Sequence, residues 1–260
     1  MEENLIAEQE ETAVIDLVNK TLLLNILPFH VAQRYFSNSM PRDELFNEEY
    51  EEVAVMFASI SNFMDFYTEN ELNLNGKSCL KILNEIILDF DQLLAETQFL
   101  HIEKMKVVGS TYMAAAGLRP GIRGTQWEEE ETEPIDAHTN LETLTNFAIS
   151  MMKKLSILNQ DALQEFQLRI GIDCGRVIAG VVGASKPLYD IWGNTVNVAS
   201  RMDSTGKMGR IQVTEKSALI LMQRGFECQS RGLIHVKGKA APMKTYFVKT
   251  PYDSEEMTRF

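Results

Sequence analysis

Strand patterns separated by single turn signals most constrain how this chain can fold. The run IEKMKVVGSTYMAAAGL, residues 102–118, predicts two strands joined at Gly109–Ser110, because a glycine between two apolar runs is a turn signal. The run FQLRIGIDCGRVIAGVVG, residues 166–183, predicts a strand, a glycine turn and a second strand. Because strands joined by tight turns pair antiparallel, the sheet cannot be purely parallel.

Helical patterns interleave with these strands, and this alternation predicts an α+β fold with a mixed, mainly antiparallel sheet flanked by helices. The Gly-, Pro- and Glu-rich residues 119–134 predict a surface loop, since such a charged block cannot pack in a core. Further strands are predicted at 51–60, 189–192, 210–214, 232–239 and 244–250, and helices within 63–96, 138–160, 195–202 and 215–226.

Bulk composition excludes several classes of protein. The 260 residues suit one large domain or one domain with an appendage, and the net charge of −12 argues against a general nucleic-acid binder. The three cysteines are far apart and form no metal-binding spacing, which predicts reduced thiols in a cytosolic compartment. No stretch approaches the roughly 18 apolar residues that a membrane-spanning helix needs, and the acidic start does not resemble a signal peptide.

Residues 1–47 are predicted to form a helical segment of their own. Leu17, Leu24 and Val31 follow one another at seven-residue spacing, and Pro28 is predicted to break the helix or to open a second one. Two interpretations remain open. The segment is either an amphipathic helix packed on its own domain or a signalling or dimerising helix that leads into the domain.

The run YDIWGNTVNVASRMDSTG, residues 189–206, carries the densest set of polar side chains. Gly193 interrupts the pattern and Asn194 is predicted to cap a helix over 195–202. Asn197 and Arg201 are four residues apart and therefore share one helix face, where a guanidinium beside an amide suits anionic oxygens such as those of phosphate. The alternative is a structural ion pair of Arg201 with an acid; the candidates are Asp203, Asp190 and Glu215.

Two pairs of lysines add to this hypothesis. Lys104 and Lys106 are predicted to lie on the same face of a strand, because side chains two residues apart point the same way. Lys237 and Lys239 flank Gly238, which permits close approach of a ligand. A phosphate-bearing ligand that contacts both Lys237 and Arg201 is physically coherent with this pattern.

Several segments together resemble the second cytoplasmic catalytic domain of transmembrane adenylyl cyclases, a class III nucleotide cyclase. The resemblance covers residues 45–250, and the run at 189–206 is highly specific for this group; the leader NKTLLLNILPFHVAQRYF resembles the helical linker that precedes such domains. It implies a ferredoxin-like βαββαβ core, with a linker at 1–47, a catalytic domain at 48–250 and a tail at 251–260. The other matching segments are FASISNF, LNEIILDFDQLL, EKMKVVGSTYMAAAGL, RIGIDCGRVIAGVVGASKPL and VKGK.

The resemblance also implies roles for individual residues. Lys106 and Asp190, with Ile191 beside them, would bind the adenine of ATP, which offers an amino donor and a ring-nitrogen acceptor. Asn197 would position the ribose and Arg201 would stabilise charge on the α-phosphate. Lys237 would bind the β- and γ-phosphates.

The family's two metal-binding aspartates are replaced by Ser59 and Ser110 in this chain. A hydroxyl is a poor substitute for a carboxylate on magnesium, so no metal site is expected in this chain. The resemblance implies that two Mg²⁺ or Mn²⁺ ions are held by a complementary first catalytic domain, which meets this one head to tail. The chain by itself is therefore expected to be nearly inert.

The resemblance implies regulators as well. Ser110, Tyr67 and Leu80 match the pocket that binds the diterpene forskolin, although Met64 stands where many relatives carry a lysine. The region around Asn73 corresponds to the docking groove for the stimulatory G protein α subunit. The expected location is a cytoplasmic domain of a plasma-membrane protein.

Two principal functional interpretations follow. The first is one half of an adenylate cyclase that makes 3′,5′-cyclic AMP and pyrophosphate from ATP within G-protein-linked signalling. The second is a cyclase-like regulatory domain that has lost activity and modulates a partner cyclase. A guanylyl cyclase is disfavoured by Lys106 and Asp190, because guanine presents the opposite pattern of donors and acceptors.

Overall fold

The computed structural model describes residues 46–74, 77–118, 137–183, 187–236 and 241–253, with 12, 14–15, 17–24, 26–28 and 31–33 before them; at 69–74 and 137 only the backbone is described. The strands are β1 Asn47–Ile60, β2 Ile102–Val108, β3 Thr111–Ala116, β4 Leu168–Val182, β5 Leu188–Trp192, β6 Ile211–Thr214, β7 Cys228–Ile234 and β8 Met243–Val248. The helices are α1 Phe63–Leu74, α2 Lys77–Leu93, α3 Ala137–Ala162, α4 Asn194–Ser204 and α5 Glu215–Gln223. A short 3-10 turn spans Thr97–Phe99.

One eight-stranded sheet runs through the described part of the chain. Its order is β2-β3-β1-β4-β6-β8-β7, and β5 pairs with β4 beside this path. Of the described strand pairs only β4 and β6 are parallel, and the others are antiparallel. The order β2-β3-β1-β4, with helices between β1 and β2 and between β3 and β4, is the ferredoxin-like βαββαβ core. The α+β class with a mainly antiparallel sheet is confirmed.

The sheet buries both of its faces. Met56 of β1 packs in a core with residues of α1, α2, α3 and α5. Its neighbour Val55 points the other way, into a second core that contains Ala199 of α4 and Val31 of the N-terminal segment. Because side chains alternate along a strand, α4 and this segment lie on the face opposite the other four helices.

Part of the N-terminal segment packs on its own domain, as the first of the two interpretations expects, and the signalling or dimerising interpretation stays a prediction. Residues 17–24 are helical, the helix ends before Pro28 as predicted, and residues 31–33 are helical again. Val31 is fully buried against the sheet, whereas Leu17 and Leu24 are 66% and 40% exposed. Among the described residues of this segment, Leu27, Val31 and Ala32 are buried in the second core and Leu23 packs partly against it, whereas Leu17 and Leu24 face outward.

The hairpin predicted within residues 166–183 is wrong. β4 continues through Gly175 as one strand and pairs with β1 from Leu168 to Gly180. Glycine suits this position because of a close approach: a Cβ on Gly175 would lie 2.8 Å from the hydroxyl oxygen of Thr195. The turn predicted at Gly109–Ser110, by contrast, is confirmed and joins β2 to β3.

The prediction that Lys104 and Lys106 share one strand face is also wrong. Lys104 pairs with Ala114 and Lys106 with Met113, which leaves Met105 as the extra residue of a β-bulge. Since the bulge shifts the alternation by one residue, the two lysines face opposite sides of the sheet. Lys104 forms an ion pair with Asp91 of α2 at 2.5 Å, and its ammonium lies over the ring of Tyr112.

No helix within the described ranges combines the length and the apolar character needed to cross a bilayer.

Helix α4 lies directly on β4 at Gly171. A Cβ on this glycine would be 1.9 Å from the amide nitrogen of Asp203 and 2.5 Å from the carbonyl oxygen of Ala199. Both are backbone atoms of α4, which cannot rotate away as a side chain can. The absence of a side chain at position 171 therefore sets how closely α4 approaches the sheet.

We expect Gly171→Ala to lower the free energy of unfolding by at least about 3 kcal/mol, the upper end of overpacking costs, because the methyl group must push α4 off the sheet. Gly175→Ala is the matched control on the same strand, since its methyl group meets only a side-chain oxygen, and it should cost about 1 kcal/mol. Urea unfolding measures both. Equal losses for the two variants would contradict the close contact.

Candidate active site

Helix α4 begins one residue earlier than the sequence predicts. It starts at Asn194 and its N-cap is Gly193, with no capping hydrogen bond from a side chain, so the prediction of Asn194 as N-cap is wrong. The first turn is held by Thr195, whose hydroxyl donates to the carbonyl of Arg176 on β4 at 2.9 Å. Asn197 then lies on the exposed side of α4, and Arg201 follows one turn later, half-buried.

Arg201 does not form the structural ion pair that was the alternative to ligand binding. Asp203 accepts from Arg169 at 3.1 Å, Asp190 pairs with Lys106, and Glu215 pairs with Lys244 at 3.0 Å. Within the described part of the chain, neither the Arg201 guanidinium nor the Asn197 amide group has a hydrogen-bond or salt-bridge partner. These two side chains are consequently available for a ligand.

Lys106 and Asp190 are brought together from distant parts of the sequence. The Lys106 ammonium donates to one carboxylate oxygen of Asp190, and the backbone N–H of Ile191 donates to the other at 3.0 Å. The Asp190 side chain is 11% exposed and that of Lys106 is 32% exposed. The pair is thus partly shielded from water, which strengthens its attraction, yet it remains open on one side.

Ser59, at one of the two expected metal positions, belongs to a buried hydrogen-bond network. Its hydroxyl donates to Asp203 at 2.7 Å and lies 2.8 Å from the hydroxyl of Thr111. Burial raises the pKa of Asp203, whereas the bonds from Ser59 and Arg169 act in the opposite direction. The network ties the end of α4 to β1 and β4. Sequence analysis missed this role of Asp203.

The residues present do not fit a pair of magnesium ions. The Ser59 hydroxyl is engaged with Asp203, and the Ser110 hydroxyl donates to the carbonyl of Ile60 at 3.4 Å. In the described ranges no group of three or more His, Cys, Asp or Glu side chains is placed to hold a metal ion. Ser59 and Ser110 therefore do not provide a metal site.

The other predicted site residues lie apart from this arrangement or outside it. Tyr67 of α1 packs partly against the core, and Leu80 of α2 is 62% exposed. Ser110 lies in the turn between β2 and β3. Lys237 and the side chain of Asn73 lie outside the described residues. The regulatory pocket and the triphosphate contact therefore stay predictions.

A cleft of about 450 Å³, which was not among the sequence predictions, opens at the start of α4 and α5. Asp173 is one of the residues that line it and accepts from the Thr214 hydroxyl at 2.8 Å and from the Ser217 hydroxyl at 3.3 Å. Burial raises the pKa of this carboxyl. An aspartate inside the apolar run RIGIDCG was the available signal of a buried acid. The cleft includes none of the predicted site residues.

Comparison with known proteins identifies the family. The adenylate and guanylate cyclase catalytic domain model matches residues 45–250. Adenylate cyclase type 9 of Xenopus laevis is 44% identical over 226 residues, which are 86% of this chain and 16% of that protein. Adenylyl cyclase X E of Drosophila melanogaster is 39% identical over an alignment 271 positions long, which covers 92% of this chain and 23% of that protein.

A solved structure has the same fold. The guanylate cyclase domain of RhGC from Catenaria anguillulae, in complex with GTP, superposes with a TM-score of 0.64 at 28% identity and covers 78% of this chain and 98% of that domain. The chain spans less than a quarter of the length of the two curated relatives. Because the family model matches most of its length, the chain belongs to the family of adenylate and guanylate cyclase catalytic domains.

Proposed function

We propose that this chain is the nucleotide-binding half of an adenylate cyclase. It converts ATP to 3′,5′-cyclic AMP and pyrophosphate when it is paired with a first catalytic domain that carries the metal ligands. The observation that carries the proposal is the partly exposed Lys106–Asp190 ion pair. Asn197 and Arg201 support it, because no acid of the described chain engages their side chains. The names of the two relatives support the same activity.

The Lys106–Asp190 pair is the basis for choosing ATP over GTP. The adenine amino group donates to a carboxylate, and the adjacent ring nitrogen accepts from an ammonium. Guanine places a carbonyl oxygen and an N–H at these two positions, so it would set acceptor against acceptor and donor against donor. The choice rests on these residues because the family includes both kinds of cyclase.

Arg201 and Asn197 are proposed to act on the phosphate and the ribose. In cyclisation the 3′-hydroxyl releases its proton, its oxygen bonds to the α-phosphorus, and the bond from that phosphorus to the bridging oxygen breaks, so that pyrophosphate leaves. Negative charge builds up on the oxygens of the α-phosphate during this step. A guanidinium fixed on a rigid helix stabilises that charge without reorganisation, and Asn197, on the same face, orients the ribose through its amide. Lys237 is assigned to the β- and γ-phosphates.

The two Mg²⁺ or Mn²⁺ ions are assigned to the partner domain, since Ser59 and Ser110 do not fit them. When bound, such ions polarise the attacking hydroxyl and neutralise the polyphosphate. The division of residues makes the pairing obligatory: one domain holds the base and the α-phosphate, and the other holds the metal.

The regulators remain part of the proposal. The stimulatory G protein α subunit is assigned to the region around Asn73, and a forskolin-like ligand to Ser110, Tyr67 and Leu80. In this scheme the chain is a cytoplasmic domain of a plasma-membrane adenylate cyclase. The alternative, an inactive regulatory domain, is favoured by the two serines and is an outcome of the following test.

The test is reconstitution. Mixing this chain with a first catalytic domain that bears two metal-binding aspartates should give cyclic AMP from ATP with Mg²⁺ or Mn²⁺, whereas either domain alone should give almost none. Cyclic AMP and cyclic GMP are measured from ATP and GTP in parallel. A mixture that binds but makes no cyclic AMP would point to the regulatory domain, and cyclic GMP as the main product would overturn the base assignment.

Lys106→Met should raise the KM for ATP in the mixture by about tenfold or more, because it removes a hydrogen bond to a charged group. Discrimination against GTP should fall, since the Lys106 ammonium, the donor that would face the N–H of guanine, is removed as well. Lys104→Met is the matched control: it breaks a Lys–Asp pair two residues away on the opposite face of the sheet. The measurement is kcat/KM for ATP and for GTP with each of the two variants. Equal effects of the two variants would contradict the base assignment.

Arg201→Ala should lower kcat in the mixture by roughly a hundredfold to a thousandfold, since a preorganised donor to the transition state is lost. The KM for ATP should change by less than about threefold. Arg224→Ala, which removes a remote arginine at the end of α5, should leave both parameters unchanged. A large rise in KM with an unchanged kcat would show that Arg201 contributes to ground-state binding instead.

A further inference from the structure

The C-terminal end of α4 is held by an arginine from β7, a strand that the assigned site does not include. Nη1 of Arg231 donates to the backbone carbonyl of Thr205, directly after α4, and to the side-chain carbonyl of Gln212 on β6. A cation at this position interacts favourably with the free carbonyls of a helix end. Gln212 is fully buried, and its amide nitrogen donates to the Thr205 hydroxyl at 3.0 Å.

Arg231 reaches α4 because β7 carries a β-bulge. The pairing of β7 with β8 shifts between Ser230 and Gly232, so Arg231 is the extra residue. Gly232 has φ of +109°, a conformation that glycine adopts readily and other residues rarely do. Bulges redirect side chains, and this one turns Arg231 out of the regular strand alternation toward the helix end.

The bonds continue from Thr205 to Arg201. The Thr205 hydroxyl donates to the Arg201 carbonyl at 2.6 Å, and the Thr205 N–H donates to the same oxygen at 3.0 Å. A change in the position of Thr205 therefore moves the backbone of Arg201 directly. Side-chain packing adds to the link, since Val198 and Met202 of α4 contact Val236, just after β7.

We propose that Arg231 is a positioning residue that fixes the last turn of α4 and thereby aims Arg201 at the α-phosphate. This inference rests on the proposed function. Arg231 does not touch the nucleotide in this scheme. It acts by holding Thr205, so that the Arg201 guanidinium stays in one orientation while charge develops on the phosphate. Small displacements of such a group reduce turnover strongly, because its stabilisation depends on geometry.

A neighbouring arginine provides a matched control for a merely structural role. Arg210 and Arg231 both lie over the ring of Phe247, with 5.1 Å and 5.3 Å from guanidinium carbon to ring centroid. The side chain of Arg210 is more buried and forms an ion pair with Asp253 at 2.8 Å. None of its described side-chain bonds goes to α4. Its loss should therefore destabilise the domain without moving Arg201.

The experiment compares Arg231→Met, Arg210→Met and Arg231→Lys in the reconstituted pair. Methionine keeps the apolar stem over Phe247 and removes the donors. Arg231→Met should lower kcat by about ten- to a hundredfold, with a KM for ATP within about twofold. Arg210→Met should lower the Tm at least as much and leave kcat unchanged. Arg231→Lys should restore most of kcat, because both bonds come from a single nitrogen that an ammonium can replace.

Hydrogen exchange on the isolated chain tests whether Arg231 anchors α4 without requiring the partner domain. Arg231→Met should speed exchange of the amides of Thr205 and Gly206, whereas Arg210→Met should not. If the wild-type pair makes no cyclic AMP, the proposed function fails, and the exchange result alone decides whether Arg231 anchors α4. The inference is overturned if exchange at these amides is unchanged, if kcat of Arg231→Met equals that of the wild type, or if Arg210→Met lowers kcat equally.

Discussion

The contact between Gly171 and the backbone of α4 is the constraint on which the site depends. No side chain separates the helix from β4 there, because a Cβ would lie 1.9 Å from the Asp203 amide nitrogen. The position of the helix is therefore set by direct contact between the backbones of α4 and β4, and not by flexible side chains. Ser59 and Arg169 then hold Asp203, and Arg231 holds Thr205, so that the end of α4 is bound from three strands. In the proposed function, a guanidinium carried by such a helix is preorganised for the transition state.

The distribution of charge around α4 has the same consequence. Each of the three acids that the sequence suggested as a partner of Arg201 is engaged by another cation: Asp203 by Arg169, Asp190 by Lys106 and Glu215 by Lys244. Burying an arginine against an acid would have stabilised the helix locally, but it would have occupied the group that the proposed chemistry needs. These three acids pair with other cations instead, so none of them occupies Arg201, to which the proposed function assigns the α-phosphate.

The structure agrees with the sequence predictions where one local pattern decides the outcome. The turn at Gly109–Ser110, the helix that contains Asn197 and Arg201, and the α+β class all follow from periodicity and turn chemistry. The predictions were wrong where one glycine or one inserted residue is compatible with two different backbone structures. Gly175 is a contact point and not a turn, and the bulge at Met105 separates Lys104 from Lys106. A bulge leaves no mark in the alternation of residues, because the pairing partner determines it.

The sequence by itself determined most of the helices and strands and, through the run at 189–206 together with the other matching segments, the family of the domain. It also determined that serines stand at the two positions where a metal-binding domain needs carboxylates. Only the tertiary structure decided that Lys106 contacts Asp190, that Asp203 is occupied by Ser59 and Arg169, and that Arg231 reaches Thr205. These contacts join residues between 26 and 144 positions apart, and nothing in local spacing encodes which distant partner a charged side chain will meet.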